Sequence, residues 1–225
     1  RDDVESRGLG DVYKRQDVRF AFCFPDTYEI GMSHLGLKIL YGAINEVPYF
    51  WCERVFAPWI DMEALMIEQG LPLYALESGD PVRDFDFIGF TLQYELSYTN
   101  VLNMLKLAGI PLKSSERTGL FHIVVGGGPC VCNPEPLADF FDLFFLGDGE
   151  EVDVAVMELY RRCKAEQKSR QEFLELAAQI EGVYVPSLYE VSYQDDGTIK
   201  ACVPKNGAPE RVKKCVIREM DKACL

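Results

Sequence analysis

The sequence predicts a doubly wound α/β fold, a Rossmann-like parallel sheet with helices on both faces. Three observations carry that expectation. Apolar runs of strand length alternate with segments of helical period from Val18 to about residue 181. The run at 18–24 is apolar on both faces, as a central parallel strand should be, and those at 85–92 and 142–146 read as further buried strands. Glycine-rich loops, Gly126-Gly127-Gly128 and Gly147-Asp148-Gly149, follow two of the strands.

Taken in order, residues 18–24 form the first strand. Ser33 is placed to cap a helix whose apolar face is Leu35, Leu37, Ile39, Leu40 and Ile44. Residues 51–56 read as a second strand. Residues 60–68 read as a helix closed by Gly70, since glycine tolerates the left-handed conformation that ends helices. A short strand is expected at 73–77 and a buried one at 85–92. A helix at 98–107 stops before Gly109 and Pro111. Residues 121–125 form a strand with His122 inside it, and 136–140 a short helix. After the buried strand at 142–146 come helices at 151–168 and 171–180, the first with Glu150 and Glu151 at its N-terminus.

The pattern changes after Gly182. Strands at 183–191 and 199–203, joined by Asp195-Asp196-Gly197, read as a β-hairpin, and a locally basic tail follows. The expected organisation is a charged tail at 1–16, foreign to the fold or disordered, a domain at 17–181, and a hairpin with linker at 182–225. Because residues 1–16 have the character of translated linker sequence, the chain is also expected to be a fragment.

Composition bounds the function. Of 225 residues, 48% are hydrophobic and 26% charged, enough apolar material for a real core. The 23 Lys and Arg against 36 Asp and Glu give a net charge of −13, which argues against direct nucleic-acid binding, because phosphate contacts need basic side chains. No apolar run approaches the roughly 18 residues of a membrane span. Eight cysteines in a chain of this length, with no signal peptide at its start, point to a cytoplasmic protein with mostly reduced thiols.

Chemistry is expected at the carboxyl ends of the parallel strands, where loops converge. The loop at 25–36 holds Asp26, Tyr28, Gly31, Ser33 and His34; the next, at 91–97, holds Thr91, Gln93 and Glu95. Gly126, Gly127 and Gly128 begin the third loop, and Gly147 and Asp148 lie after the following strand. Glycines let backbone approach a flat or phosphorylated ligand closely. His34 reads first as a locally bonded residue at a helix start, with ligand contact as the alternative. Asp148 and Glu95 are the carboxylates kept as ligand-contact candidates. Cys130 and Cys132 lack partners at metal spacing and read as small residues. No catalytic triad, phosphate loop of the form G-x-x-x-x-G-K-[ST] or metal triad stands out.

Together, the strings FPDTYEIGMSHLGL at 24–37, GFTLQYELSYTN at 89–100 and GGGPCVCNPEP…GDGEE at 126–151 resemble the N-terminal region of cobalamin-binding-domain radical SAM proteins. The resemblance covers most of the chain from residue 17 onward. It implies a cobalamin-type cofactor at the sheet edge, held by Asp26, Tyr28, Gly31, Ser33, His34, Thr91, Gln93, Gly126, Gly127, Gly128, Gly147 and Asp148. Related domains carry D-x-H-x-x-G after the first strand, the His being the lower cobalt ligand. Tyr28 holds that place here, which implies a His-off mode with the nucleotide tail against the glycine loop. The resemblance further implies a parent enzyme whose C-terminal radical SAM barrel holds a [4Fe–4S] cluster and S-adenosylmethionine. None of the eight cysteines has the C-x-x-x-C-x-x-C spacing of that cluster. The chain alone is therefore expected to be inactive, and the motif is expected beyond its end.

Two functions follow. A cobalamin module predicts an open cleft lined by Tyr28, Gly31, Thr91 and Gly126–Gly128. A degenerate module, which covers the radical site or recruits substrate without cobalamin, predicts that Tyr94, Met32 or Phe90 fills it.

Overall fold

The computed structural model describes residues 17–218, so the tail expected at 1–16 lies outside the described residues. Eight strands occur among the described residues: β1 Val18–Phe24, β2 Phe50–Phe56, β3 Phe87–Thr91, β4 Ile123–Gly127, β5 Leu143–Phe145, β6 Val183–Tyr184, β7 Tyr189–Tyr193 and β8 Ile199–Pro204. The α-helices are α1 Tyr28–Gly31 (a single turn), α2 Leu35–Asn45, α3 Ile60–Gln69, α4 Tyr98–Leu107, α5 Gly149–Ala165 and α6 Arg170–Ala177.

The main sheet has the order β2-β1-β3-β4-β5-β6, and β7 and β8 form a separate antiparallel pair. All pairings from β2 to β5 are parallel, while β6 adds antiparallel to β5. The chain therefore moves one way from β1 to β2 and the other way from β1 to β3. Such a reversal opens a crevice at the carboxyl ends of the two strands, the usual ligand position in open α/β sheets.

Each sheet face buries its own core. One face packs Phe20, Phe22, Val125 and Phe145 under α2, α5 and α6, represented by Leu37, Val156 and Phe173. The other packs Ile88, Phe90 and Phe144 under α3 and α4, represented by Met66 and Met104. Burial of apolar area on both faces is the main stabilising term, at about 25 cal/mol per Å². Gly89 belongs to this packing: a Cβ there would lie 2.2 Å from the Phe20 ring.

Several sequence expectations need correction. Residues 73–77 form no strand; only an isolated bridge joins Tyr74 to Pro81, and the Leu73 amide bonds to the Leu107 carbonyl. His122 precedes β4 rather than lying in it, with a φ of 53° and its Nε2 2.6 Å from the Arg83 carbonyl. The short helix expected at 136–140 is a 3-10 turn at Glu135–Leu137, too tight to continue. The strand expected at 183–191 is broken by the 3-10 turn Pro186–Leu188, because Pro186 cannot donate to a ladder. Its first part becomes β6 of the main sheet, and the rest becomes β7 of the hairpin.

Candidate functional site

A cavity of about 240 Å³ opens at the switch point, on the face covered by α2 and α5. Its walls come from β1 (Phe20, Phe22), β3 (Thr91), β4 (Gly127), the N-cap and second turn of α2 (His34, Leu40) and the start of α5. It therefore sits where the fold predicts a ligand, and the local sequence explains the opening. Gly127 faces open space, since a Cβ built there meets nothing within 4 Å. Gly128 has a φ of 100°, and a Cβ would come within 2.8 Å of the Leu92 carbonyl oxygen. Only glycine allows the chain to turn there so close to the loop after β3.

His34, Thr91, Gln93, Gly127, Gly128, Gly147 and Asp148 all line this cavity. The other expected residues lie elsewhere, each for a visible reason. Tyr28 packs edge-on against Phe56 and lines a second groove of about 560 Å³ between β2 and α3. Gly31 is buried where a Cβ would touch the rings of Phe56 and Phe24. Gly126 faces the opposite side of the sheet, against Phe141 and Phe144, because alternate residues of a strand point to opposite faces. Ser33 does not cap α2; its hydroxyl donates to the Ile30 carbonyl, and His34 is the N-cap instead. Asp26 accepts from the Tyr94 hydroxyl at 2.8 Å and from the Thr27 amide.

The cap fixes the imidazole. Nδ1 of His34 accepts the Leu37 amide at 3.1 Å, which leaves Nε2 as the nitrogen bearing hydrogen in the neutral ring. Asp148 is likewise engaged: its Oδ2 accepts the Ile217 amide at 2.9 Å. The 215–217 segment thus runs across the edge, and a Cβ on Gly147, whose φ is 111°, would collide with the Cys215 carbonyl. Gln93 donates to the Thr91 hydroxyl, so the loop after β3 is internally braced. Glu95 is exposed at the start of a 3-10 turn.

None of the three large side chains expected to block the site fills this cavity. The Phe90 ring turns to the opposite face, 5.9 Å from Phe141. Met32 lies with its sulfur 3.3 Å from Arg54, and Tyr94 is engaged with Asp26.

The residue that sequence reasoning missed is Asp153. It is buried at 5% exposure in the second turn of α5, lines the cavity, and its Oδ1 has no hydrogen-bond partner. Burial, with a smaller contribution from Glu150, pushes its carboxyl up to about 8. The signal lay in the spacing: Asp153, Val156 and Tyr160 share one helical stripe, so an acid stands on an otherwise apolar face. Among the described residues, no group of three His, Cys, Asp or Glu is placed to hold a metal ion. Nor is any helix among them long and apolar enough to cross a membrane.

Comparison with known proteins gives three findings. A family model described as radical SAM proteins, N-terminal, matches residues 36–186. An uncharacterised protein of Methanocaldococcus jannaschii is 29% identical over 147 residues, which is 65% of this chain and 27% of that protein. Among solved structures, the radical S-adenosylmethionine methyltransferase TsrM of Kitasatospora setae, bound to tryptophan and a SAM analogue, aligns with a TM-score of 0.45 at 14% identity. That alignment covers 80% of this chain and 29% of TsrM. The chain thus spans under a third of the length of either protein.

Proposed function

The chain belongs to the radical SAM proteins, matching their N-terminal region, and from that premise we propose that it is a cofactor-binding module of the cobalamin type within a radical SAM, iron–sulfur enzyme. The observation that carries this reading is the cavity at the switch point beneath Gly127, where backbone alone borders the opening. At about 240 Å³ it is too small for a corrin ring but suits the nucleotide tail of a cobalamin. Thr91, Gln93, Gly127 and Gly128 would hold that tail. Tyr28, turned into the neighbouring groove, supplies no imidazole to a cobalt ion, so the proposed mode is His-off. Cobalamin, when bound, supplies a cobalt centre able to carry a methyl group. This chain's own contribution is to bind and orient it and to exclude water with Phe20, Phe22 and Leu40.

On this reading the [4Fe–4S] cluster and S-adenosylmethionine belong to a catalytic domain of the same longer protein. The thiols described, Cys23, Cys52, Cys130, Cys132, Cys163, Cys202 and Cys215, are all free, which suits the cytoplasm. The acidic composition disfavours direct contact with nucleic acid.

A second reading, an interaction module without cobalamin, is favoured by one feature. Trp59 and Ile60 are 63% and 73% exposed beside the larger groove, and Leu96 is 87% exposed after β3. Exposed apolar side chains gathered near one edge suit a protein partner.

Absorbance titration with hydroxocobalamin followed by gel filtration tests the proposal. The expected result is a shifted corrin spectrum that co-elutes with the protein. If the longer protein with its catalytic domain also stays colourless, the cobalamin reading fails and the interaction module stands.

A further inference from the structure

Among the described residues lining the cavity, Asp153 is the one with a buried side-chain polar atom that has no hydrogen-bond partner. Its Oδ1 is buried without a hydrogen-bond partner, a state that is unfavourable for any polar group. Most of the lining around it is aromatic, aliphatic or glycine: Phe20, Phe22, Ile39, Leu40, Phe145 and Gly149. A Cβ on Gly149 would lie 2.9 Å from the Leu40 side chain, so the glycine lets the start of α5 lie close against α2 beside the carboxyl.

The combination limits what can occupy the cavity. The apolar walls and the bare backbone at Gly127 suit a flat ring. A ligand that is apolar at its buried end leaves Oδ1 orphaned. An anionic ligand meets Asp153, Asp148 and Glu150 together. We propose that Asp153 is the polar anchor of this cavity and selects an uncharged planar heterocycle with adjacent hydrogen-bond donor and acceptor, an amino-purine edge, over a ring that ends in methyl groups.

The chemistry is reciprocal. Held neutral by its burial, the Asp153 carboxyl donates its O–H to a ring nitrogen and accepts the neighbouring amino N–H on its other oxygen. A buried site built to make such a pair rejects an analogue that cannot complete it, because the site's own polar group is then left unpaired. The inference rests on the reading that the cavity takes the tail of a corrinoid, and it names the tail: adenine rather than dimethylbenzimidazole. A free adenine nucleoside offers the same edge.

The test compares three corrinoids on the full chain: one with an adenine tail, one with a dimethylbenzimidazole tail, and cobinamide, which has no tail. The adenine-tailed corrinoid is expected to bind about tenfold or more tightly than the dimethylbenzimidazole form, the worth of one buried hydrogen bond. Asp153→Leu should remove that advantage and leave cobinamide binding unchanged. Asp153→Asn, which keeps a donor and an acceptor, should stay within a few-fold of the native chain. Because Leu replaces an unsatisfied carboxyl, the variant should melt higher, so lost binding cannot be ascribed to unfolding.

Equal affinity for the two tails, or an Asn variant as weak as the Leu variant, overturns the inference and leaves corrinoid binding intact. If cobinamide and both tailed forms fail to bind, the corrinoid reading fails, and adenosine decides the inference alone. A thermal shift with adenosine that Asp153→Leu abolishes upholds it; no shift in the native chain overturns it.

Discussion

The Tyr94 hydroxyl donates to the Asp26 carboxylate at 2.8 Å, tying the loop after β3 to the loop after β1 across the switch point of the sheet. The two residues are 68 positions apart, and the bond holds the outer ends of both loops together. It also raises the phenol's pKa, since a hydrogen bond to a carboxylate favours the protonated form. Both groups are partly in water, so the bond is weak as a stabilising contact and matters for loop position.

Tyr94→Phe is therefore expected to cost at most about 1 kcal/mol of stability. Its larger effect is on the edge, where the two loops lose their tie. Urea denaturation, paired with hydroxocobalamin affinity, checks this: a nearly unchanged midpoint should accompany weaker binding.

A buried charge cluster on the far side of the site makes a stronger prediction. Asp142 accepts the Val124 amide at 2.7 Å and forms ion pairs with Arg170 at 2.5 Å and Arg117 at 3.3 Å, all nearly inaccessible to solvent. Burial lowers the Arg117 pKa, a sign that its charge is poorly solvated there. Asp142→Ala leaves two guanidinium groups without their carboxylate. The expected loss is about 3–5 kcal/mol, read from denaturant midpoints.

Gly128→Ala combines a positive φ with a close approach to the Leu92 carbonyl oxygen. The strain is worth about 1–3 kcal/mol. Gly70→Ala has a φ of 64° but nothing within 4 Å, so its cost is backbone strain alone. Thermal melts of the pair should rank Gly128→Ala as the more damaging.

Asp153 ties stability to pH. Its folded pKa, about 8, lies above the ordinary carboxyl value, so between about pH 4 and 8 the native state holds a proton that the unfolded chain has released. Stability from this group is greatest at the acidic end and declines as pH rises toward 8. The slope is about 1 kcal/mol per pH unit where the shift is fully expressed. The other ionisable groups near it are Glu150 and Asp148 at the start of α5, His34 at the start of α2, and the Cys52 thiol on β2. The advantage of Asp153→Leu over the native chain should therefore grow between pH 5 and pH 8 in chemical denaturation. A constant difference would contradict the account.

The parallel strands β1 to β5 were legible because each is a short apolar run with its own turn signals. Val18–Phe24 matches the expectation residue for residue, since all of the run but Arg19 is buried between two helical layers. What periodicity could not show was which residues face which side at the strand ends. Gly126 and Gly127 are adjacent in sequence, yet one packs on Phe144 and the other borders the cavity. Ser33 and His34 posed the same difficulty one residue apart, because either side chain can accept an amide at a helix start, and the turn before α2 selects the imidazole. Residues 183–191 misled because an apolar run does not reveal that Pro186 ends one strand and allows another in a different sheet. Asp153 escaped notice for the opposite reason: charge in a helix normally implies a solvated face, and only the packing of α5 on the sheet shows otherwise.

The central claim is that the edge beneath Gly127 holds a corrinoid, and retention of hydroxocobalamin by the native chain and by Gly127→Val tests it most directly. A valine side chain has free space to occupy at this position, so the variant is expected to fold while its branched side chain fills the opening. The account predicts a red native protein after gel filtration and a colourless, folded variant. Equal retention by both would contradict it.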